Sequence, residues 1–182
     1  MILVNDRLFR WADGSVRVDT TRLYPPFLAK VDNMLSLCEA QGRRYYAIRG
    51  YDSPEAQKAL FLRWVGGKGG KASPPWQSLH QVGLALDFNL DEDMARAGLQ
   101  LPKTPRTAKH FKVLVDAART VGLVSGADFN DAPHVQWASR FSSGASIRPL
   151  RAVWEASTGT VDEKLTRVWQ SVGLAGGSGG FP

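Results

Sequence analysis

An imidazole and a carboxylate stand seven residues apart in the segment Ser78-Leu79-His80-Gln81-Val82-Gly83-Leu84-Ala85-Leu86-Asp87. Both side chains are of types that bind zinc in proteins. Because side chains alternate along a regular strand, His80 and Asp87 would lie on opposite faces unless the chain bends between them. Gly83 is the expected position of that bend. Alone, the pair also fits an ordinary hydrogen-bonded His-Asp contact, so a metal site needs a third ligand.

A second histidine supplies the candidate third ligand. His134 follows Pro133, which holds Ala132 extended, and we expect a short strand to begin at His134. Two imidazoles and one carboxylate form the three-ligand set of a catalytic zinc site, whose fourth position stays open for water. Asp131, three residues before His134, is placed to serve that water as general base. The alternative for Asp131 is a turn-forming residue whose carboxylate caps its own backbone.

Strands and helices of mixed type must position these side chains. Arg44 to Arg49 is strand-like, and Gly50-Tyr51-Asp52 turns it into a helix that Ser53 caps, with Pro54 at its first position. Leu84 to Asp87 alternates as a short strand would. We also expect a short strand with an irregular lead-in over residues 1–24, an acidic helix start at Asp91-Glu92-Asp93, a proline-bounded loop over 101–105, and helices over about 25–41, 107–121, 147–156 and 161–172.

The glycine-lysine segment 66–71, followed by Ala72-Ser73-Pro74-Pro75-Trp76, cannot form regular structure. Phosphate binding is one interpretation of such a loop, but the Walker spacing is missing, as is a Ser or Thr after the last lysine. The segment is better interpreted as a rim beside the Ser78–Asp87 stretch.

Composition limits the classes of protein that fit. At 182 residues, with 43% apolar and 22% charged residues, the chain fits one globular domain and neither a disordered nor a membrane class. Its single cysteine, Cys38, rules out an intramolecular disulfide and a cysteine-based zinc site. The net charge of +6 favours polyanionic partners, which include nucleic acid, anionic lipid and bacterial wall. No nucleic-acid motif accompanies that charge, so we predict no nucleic-acid partner.

The chain shows no pattern typical of a targeting signal. Charge appears within its first seven residues, and no apolar run approaches about 18 residues. We therefore predict no signal peptide and no stable membrane insertion. A target outside the cytoplasm would have to be reached by another route.

The motif Ser78-x-His80-x6-Asp87, followed by Asp131-x-x-His134, resembles the zinc peptidases of bacterial cell-wall peptides. These include D-alanyl-D-alanine carboxypeptidases and dipeptidases and the L-alanyl-D-glutamate endopeptidase endolysins of phages. The similarity extends over about residues 45–137 and includes Gly50-Tyr51-Asp52-Ser53 with Gln57, Gly122-Leu123, and Gly126-Ala127-Asp128-Phe129. It implies an α+β fold of the hedgehog/D-Ala-D-Ala peptidase type, in which a small antiparallel sheet carries the zinc site and packs with helices.

The resemblance also implies roles for individual residues. His80, Asp87 and His134 would bind Zn2+, and Asp131 would be the catalytic base. Substrate contacts are expected from Ser78, Gln57 and Trp76. The chain departs from the family at one position, because the turn that normally carries an arginine to polarise the scissile carbonyl has Asp52. Arg49, three residues earlier, either takes over that role or is a surface residue at the end of its strand.

Together these features predict a zinc metallopeptidase that hydrolyses amide bonds in peptidoglycan stem peptides. We expect a monomeric phage or prophage endolysin with L-alanyl-D-glutamate endopeptidase specificity, which reaches the cell wall from the host cytoplasm through holin pores. The alternatives are a D-alanyl-D-alanine carboxypeptidase and, because of Asp52, a non-catalytic zinc-stabilised binding module. The expected organisation is a catalytic domain over 1–144, a helical extension of that domain over 145–172, and a flexible glycine-rich tail over 173–182.

Overall fold

A four-stranded antiparallel sheet lies at the centre of the computed structural model, which describes residues 3–96, 100, 107–137 and 147–174. Its strands are β1 (Tyr45–Arg49), β2 (Ala85–Leu90), β3 (Leu123–Ser125) and β4 (His134–Trp137), and their order across the sheet is β1-β2-β4-β3. The central pair, β2 and β4, comes from the two sequence segments that carry the candidate ligands. The predicted α+β class, with a small antiparallel sheet, is confirmed.

Five α-helices surround this sheet in the described residues: α1 (Pro25–Ala40), α2 (Pro54–Val65), α3 (Lys112–Thr120), α4 (Leu150–Ala156) and α5 (Val161–Ser171). Their starts follow the sequence signals. The Ser53 hydroxyl accepts a hydrogen bond from the Ala56 N–H ahead of α2, and Thr160 and Glu163 form a capping box at the start of α5. The predicted helix over 107–121 is divided into a 3-10 turn, Ala108–Phe111, and α3.

The hydrophobic core joins the helices to the sheet. Helix α1 packs against α3, and α4 packs against α5. Helix α5 also reaches the segment that precedes β2, because the indole N–H of Trp169 donates to the Val82 carbonyl oxygen at 2.8 Å. The C-terminal helices therefore help to fix the segment that carries His80.

Two sequence-based expectations about local structure are wrong. The N-terminal lead-in forms 3-10 turns at Asp6–Phe9 and Thr20–Arg22, with one isolated bridge between Arg10 and Val16, and not a regular strand. Asp91 does not start a helix. Its buried carboxylate receives the Arg44 guanidinium at 3.3 Å and the backbone N–H of Gln100 at 3.1 Å, and so closes a turn after β2.

Other expectations fall wholly or partly outside the described residues. These are the loop over 101–105, the boundary at residue 144 and most of the tail over 173–182. The division into a catalytic domain and a helical extension stays a prediction. Within the described ranges, no helix has both the length and the apolar character needed to cross a membrane.

Candidate metal centre

His80 lies in a 3-10 turn, Leu79–Val82, and not on a strand. The turn ends at Gly83, whose φ of +65° is in the left-handed region. A Cβ atom at Gly83 would approach the Arg22 carbonyl oxygen to 2.2 Å, so both the conformation and the space require glycine. The predicted bend at Gly83 is confirmed, and it directs the chain into β2, where Asp87 lies.

The register of the sheet brings the second histidine to Asp87. In the antiparallel β2–β4 pair, Asp87 is directly opposite His134, and side chains at such positions are close neighbours. The imidazole rings of His80 and His134 are 5.1 Å apart between centroids and nearly perpendicular. His80 and His134 are thus in contact, although they are 54 positions apart in the sequence.

Hydrogen bonds fix which nitrogen of each imidazole faces the cluster. His80 Nδ1 lies 2.7 Å from the Gly50 carbonyl oxygen, and since a carbonyl can only accept, Nδ1 carries the proton. His80 Nε2 is buried without a hydrogen-bond partner and lies 3.4 Å from Asp87 Oδ1. His134 Nε2 donates to Gln136 Oε1 at 3.0 Å, so in the neutral ring Nδ1 presents its lone pair 2.9 Å from the same Asp87 oxygen.

Three electron-pair donors therefore converge on one point. The ligand atoms of His80, Asp87 and His134 all lie within 4.8 Å of one another. Lone pairs at such distances repel unless a cation lies among them, and the set of two imidazole nitrogens and one carboxylate oxygen suits Zn2+. The orphaned His80 Nε2 is the clearest sign, because a buried polar atom without a partner is costly. The donor set fits the predicted metal.

The charges in the cluster keep Asp87 ionised and, without a metal, favour a proton on His134 that zinc must displace. Burial alone would raise the pKa of Asp87, but the neighbouring His80 and His134 lower it well below its ordinary value. Burial would lower the pKa of His134, but its contacts with Asp87 raise it. Asp87 is thus held as a carboxylate, which is the form that binds a metal.

Asp131 lies at the edge of the same cluster. Burial and the charge of Asp87 raise its pKa, in that order of size. Its backbone is fixed by two bonds: its N–H donates to the Gly126 carbonyl at 2.8 Å, and its carbonyl accepts from the His134 N–H at 2.9 Å. A Cβ atom at Gly126 would lie 2.0 Å from the Asp131 carbonyl oxygen and 2.6 Å from His134 Cβ, so only glycine permits this close approach.

Arg49 is brought to the cluster by an irregularity in the sheet. The β1–β2 register shifts between Ala47 and Arg49, and Arg49 is then paired with Asp87. Its guanidinium donates through Nη1 to Asp87 Oδ2 at 3.4 Å and through Nε to Asp52 Oδ2 at 2.8 Å. Arg49 is therefore a residue of the site and not a surface arginine that points away from it.

A cleft of about 700 Å³ opens over these residues. Its lining contains most of the residues that the sequence singled out, together with several that it did not: Arg49, Gln57, Lys71, Ala72, Ser73, Gln77, Ser78, Leu79, His80, Phe129, Asn130, Asp131, His134 and Gln136. The predicted rim contributes Lys71, Ala72 and Ser73. The expected site residues Ser78, Gln57, Arg49 and Asp131 all reach this cleft.

Trp76 does not line the cleft, and its contact with substrate stays a prediction. Its ring is 7% exposed and packs against Trp154 with 6.0 Å between centroids. Its backbone N–H donates to the buried Gln81 side chain. Trp76 therefore anchors the end of the rim segment against α4.

Sequence reasoning missed two residues of the site. Gln136 sets the tautomer of His134, and its place two residues along the same strand was the available signal, since such positions share a face. Phe129 was noted only as part of a family pattern, although its ring meets that of His134 with 5.5 Å between centroids. No periodic pattern in the sequence predicts that a half-exposed aromatic ring lies beside a candidate ligand.

Two imidazoles, a carboxylate held in its charged form and a second carboxylate beside them make the site of a metal-dependent hydrolase. A family model described as VanY, D-alanyl-D-alanine carboxypeptidase, matches residues 20–139, which is about two thirds of the chain. The chain therefore belongs to the VanY D-alanyl-D-alanine carboxypeptidase family. The predicted family and enzyme class, a zinc peptidase of cell-wall peptides, are confirmed.

Several solved structures are similar to the chain. The L-Ala D-Glu endopeptidase ChiX of Serratia marcescens is 18% identical, with 66% of this chain and 84% of ChiX covered and a TM-score of 0.45. The vancomycin resistance D,D-pentapeptidase VanY of a VanB-type cassette, in complex with Zn(II), is 17% identical, with 77% and 82% covered and a TM-score of 0.46. The LD-carboxypeptidase LdcB is 19% identical, with 80% and 69% covered and a TM-score of 0.45.

No curated protein sequence matches the chain significantly. The predicted zinc cofactor is confirmed by the family together with a donor set that suits the ion.

Proposed function

We propose that this protein is a zinc peptidase that hydrolyses amide bonds in peptidoglycan stem peptides, with His80, Asp87 and His134 as the metal ligands. The observation that carries the proposal is the convergence of these three ligand atoms within 4.8 Å at the floor of a cleft that Asp131 also lines. When bound, zinc supplies a Lewis acid and lowers the pKa of water to about 7.

Asp131 is the proposed general base. Its carboxylate accepts one proton from the attacking water as the oxygen–carbon bond forms, and then delivers it to the amine as the carbon–nitrogen bond breaks. Burial and the nearby Asp87 raise its pKa, which makes the carboxylate a better proton acceptor than an exposed aspartate. The Gly126 contact holds its backbone in place for both transfers.

Arg49 is the proposed stabiliser of the oxyanion. Its guanidinium lines the cleft beside Asp87, and N–H donors directed at a developing negative charge lower the barrier most where water is excluded. Gln57 lines the cleft and also contacts Arg49. Its Oε1 accepts from Arg49 at 3.1 Å, and its Nε2 donates to the Ser73 carbonyl at 2.7 Å.

Acidic stem peptides are the proposed substrate class. The cleft carries Arg49 and Lys71, and Ser78 offers a hydroxyl for a substrate amide.

We place L-alanyl-D-glutamate endopeptidase specificity first, because the cleft is open and lined by cations that suit a glutamate carboxylate. D-alanyl-D-alanine carboxypeptidase specificity is the second candidate, and the description of the family favours it. A monomeric phage or prophage endolysin with holin-type release is the biological setting that we propose.

Digestion of purified peptidoglycan tests the mechanism. We expect activity to vanish with a chelator and to return with zinc. The Asp131→Ala variant should retain zinc and lose activity, whereas Asp128→Ala, which removes an exposed carboxylate paired with Arg119, should behave as the wild type. Full activity in both the chelated protein and Asp131→Ala would show that the zinc-hydrolase proposal is wrong.

Mass analysis of the released fragments identifies the bond that is cut. New N-terminal D-glutamate would establish endopeptidase cleavage. Release of free D-alanine from pentapeptides would establish the carboxypeptidase instead. Both outcomes are compatible with the same metal centre, so this measurement decides specificity independently of mechanism.

A further inference from the structure

Asp52 occupies the turn between β1 and α2 and points its carboxylate at the strand that precedes it. Two N–H groups of Arg49, Nε and Nη2, donate to the same Asp52 oxygen, the first at 2.8 Å. The side chain of Asp52 is 15% exposed and that of Arg49 is 32% exposed, so the pair is largely shielded from solvent. A shielded pair of this kind is worth more than a surface salt bridge.

The turn that carries Asp52 is fixed to the metal centre. The Asp52 backbone N–H donates to the His80 carbonyl at 3.2 Å, and the preceding Gly50 carbonyl accepts from His80 Nδ1 at 2.7 Å. The position of the Asp52 carboxylate is therefore tied to that of His80. Any group that Asp52 holds is held at a fixed place relative to the ligands.

Arg49 lies between two carboxylates that draw it in different directions. Asp87 Oδ2 takes one N–H at 3.4 Å, a long contact, whereas Asp52 takes two N–H groups and Gln57 shares one of them at 3.1 Å. Without Asp52, the nearest negative charge for the guanidinium is Asp87, a candidate ligand. Movement of Arg49 onto Asp87 would neutralise the ligand and remove the N–H donors from the cleft.

We propose that Asp52 is a positioning residue that holds the Arg49 guanidinium in the cleft and keeps it from closing onto Asp87. Arg49 lies at the end of β1, after the register shift, and Asp52 in the following turn supplies the carboxylate that orients its guanidinium. The catalytic part of this proposal rests on the proposed function. Its structural part, the protection of Asp87, does not.

A double-mutant cycle with Asp52→Ala and Arg49→Ala tests the proposal. We expect Asp52→Ala to lower kcat by about 10- to 100-fold with a smaller change in KM, since misplacement of a group that acts in the transition state mainly lowers kcat. In the Arg49→Ala background, the same substitution should have no further effect. Asp52→Glu should recover part of the loss. Asp93→Ala, which removes the partner of Arg96 at the same i,i+3 spacing, is the matched control.

Zinc affinity is the second readout and does not require turnover. Asp52→Ala should weaken zinc binding by about tenfold while Arg49 is present, as expected when a group around a metal ligand is disturbed, and should leave it unchanged in Arg49→Ala. If the variants show this coupling in zinc affinity but the wild type cleaves no wall fragment, the proposed function is wrong and the positioning role of Asp52 stands. Additive effects in both readouts, or an Asp52→Ala variant equal to wild type, would overturn it.

Discussion

Gln136 gives the most direct test of how the metal centre is built. Its Oε1 accepts the Nε2–H of His134 at 3.0 Å, and its residue is 5% exposed. This bond keeps the proton on Nε2 and the lone pair of Nδ1 directed at the cluster. In Gln136→Leu the buried N–H loses its acceptor, and the favoured alternative is a proton on Nδ1 that donates to Asp87 Oδ1, 2.9 Å away. That tautomer removes one ligand atom and occupies another.

The expected cost follows from these contacts. Loss of a hydrogen bond that leaves a buried group unpaired costs about 1–3 kcal/mol. Since about 1.4 kcal/mol is a factor of ten in an equilibrium constant, this predicts zinc binding weaker by about 10- to 100-fold. The same range is typical when a residue that orients a metal-binding histidine is replaced. Overall stability of the metal-free protein should change little, because there the His134 proton can move to Nδ1 and donate to Asp87.

Competition with a chromophoric chelator measures the zinc affinity directly. Gln136→Glu retains an acceptor for the Nε2–H and should bind zinc far better than Gln136→Leu. Gln41→Leu, a change at an exposed residue beyond α1, is a matched control for the substitution itself. Equal zinc affinity of Gln136→Leu and the wild type, with both proteins folded, would refute the assignment of His134 Nδ1 as a ligand atom.

Three further predictions concern the scaffold of the site. Gly83→Ala should destabilise the fold by about 3 kcal/mol, because alanine is strained at positive φ and its Cβ would clash with the Arg22 carbonyl; urea unfolding measures this. Trp169→Phe removes the donor to the buried Val82 carbonyl and should cost about 2 kcal/mol in the same assay. Burial raises the pKa of Cys38 to about 12, so the unfolded chain loses the thiol proton first, and the stabilisation present below about pH 8.5 should fall by about 2 kcal/mol at pH 10.

Each of these predictions has an internal comparison. Gly14→Ala is the control for Gly83→Ala, since Gly14 also has positive φ but no atom within 4 Å of an added Cβ; equal losses would rule out the Arg22 clash. An unchanged unfolding midpoint in Trp169→Phe would show that the bond from Trp169 to Val82 does not stabilise the fold. Measuring the free energy of unfolding of the wild type and of Cys38→Ala at pH 8 and pH 10 isolates the contribution of the thiol. An equal change with pH in the two proteins would contradict the Cys38 prediction.

The helices and strands with strong local signals could be predicted from the sequence. Ser53 before Pro54, and Thr160 with Glu163, mark helix starts through bonds made within four residues. The prediction was wrong where a distant partner decides. Asp91 has the local character of a helix start, but the Arg44 guanidinium and the Gln100 N–H hold it in a turn. Such partners leave no periodic signal near Asp91.

The non-catalytic alternative depended on Asp52 in the turn. In the structure Arg49 brings a guanidinium to the same cleft, and Asp52 holds it there. A guanidinium therefore lies in the cleft although Asp52 occupies the turn, and Asp52 is no longer a reason to expect a binding module. Only the register shift between Ala47 and Arg49, a feature of the pairing with β2, decided this question.

The types of ligand, and the need for a bend between two of them, were predictable from residue identity and spacing. His80, Asp87 and His134 were recognisable because zinc demands nitrogen and carboxylate donors, and Gly83 because only glycine tolerates the bend. Three features became clear only from the folded chain: which nitrogen of each histidine faces the ligand cluster, where Arg49 lies, and the burial of Trp76. Those facts depend on contacts between segments far apart in the chain, and no local spacing encodes them.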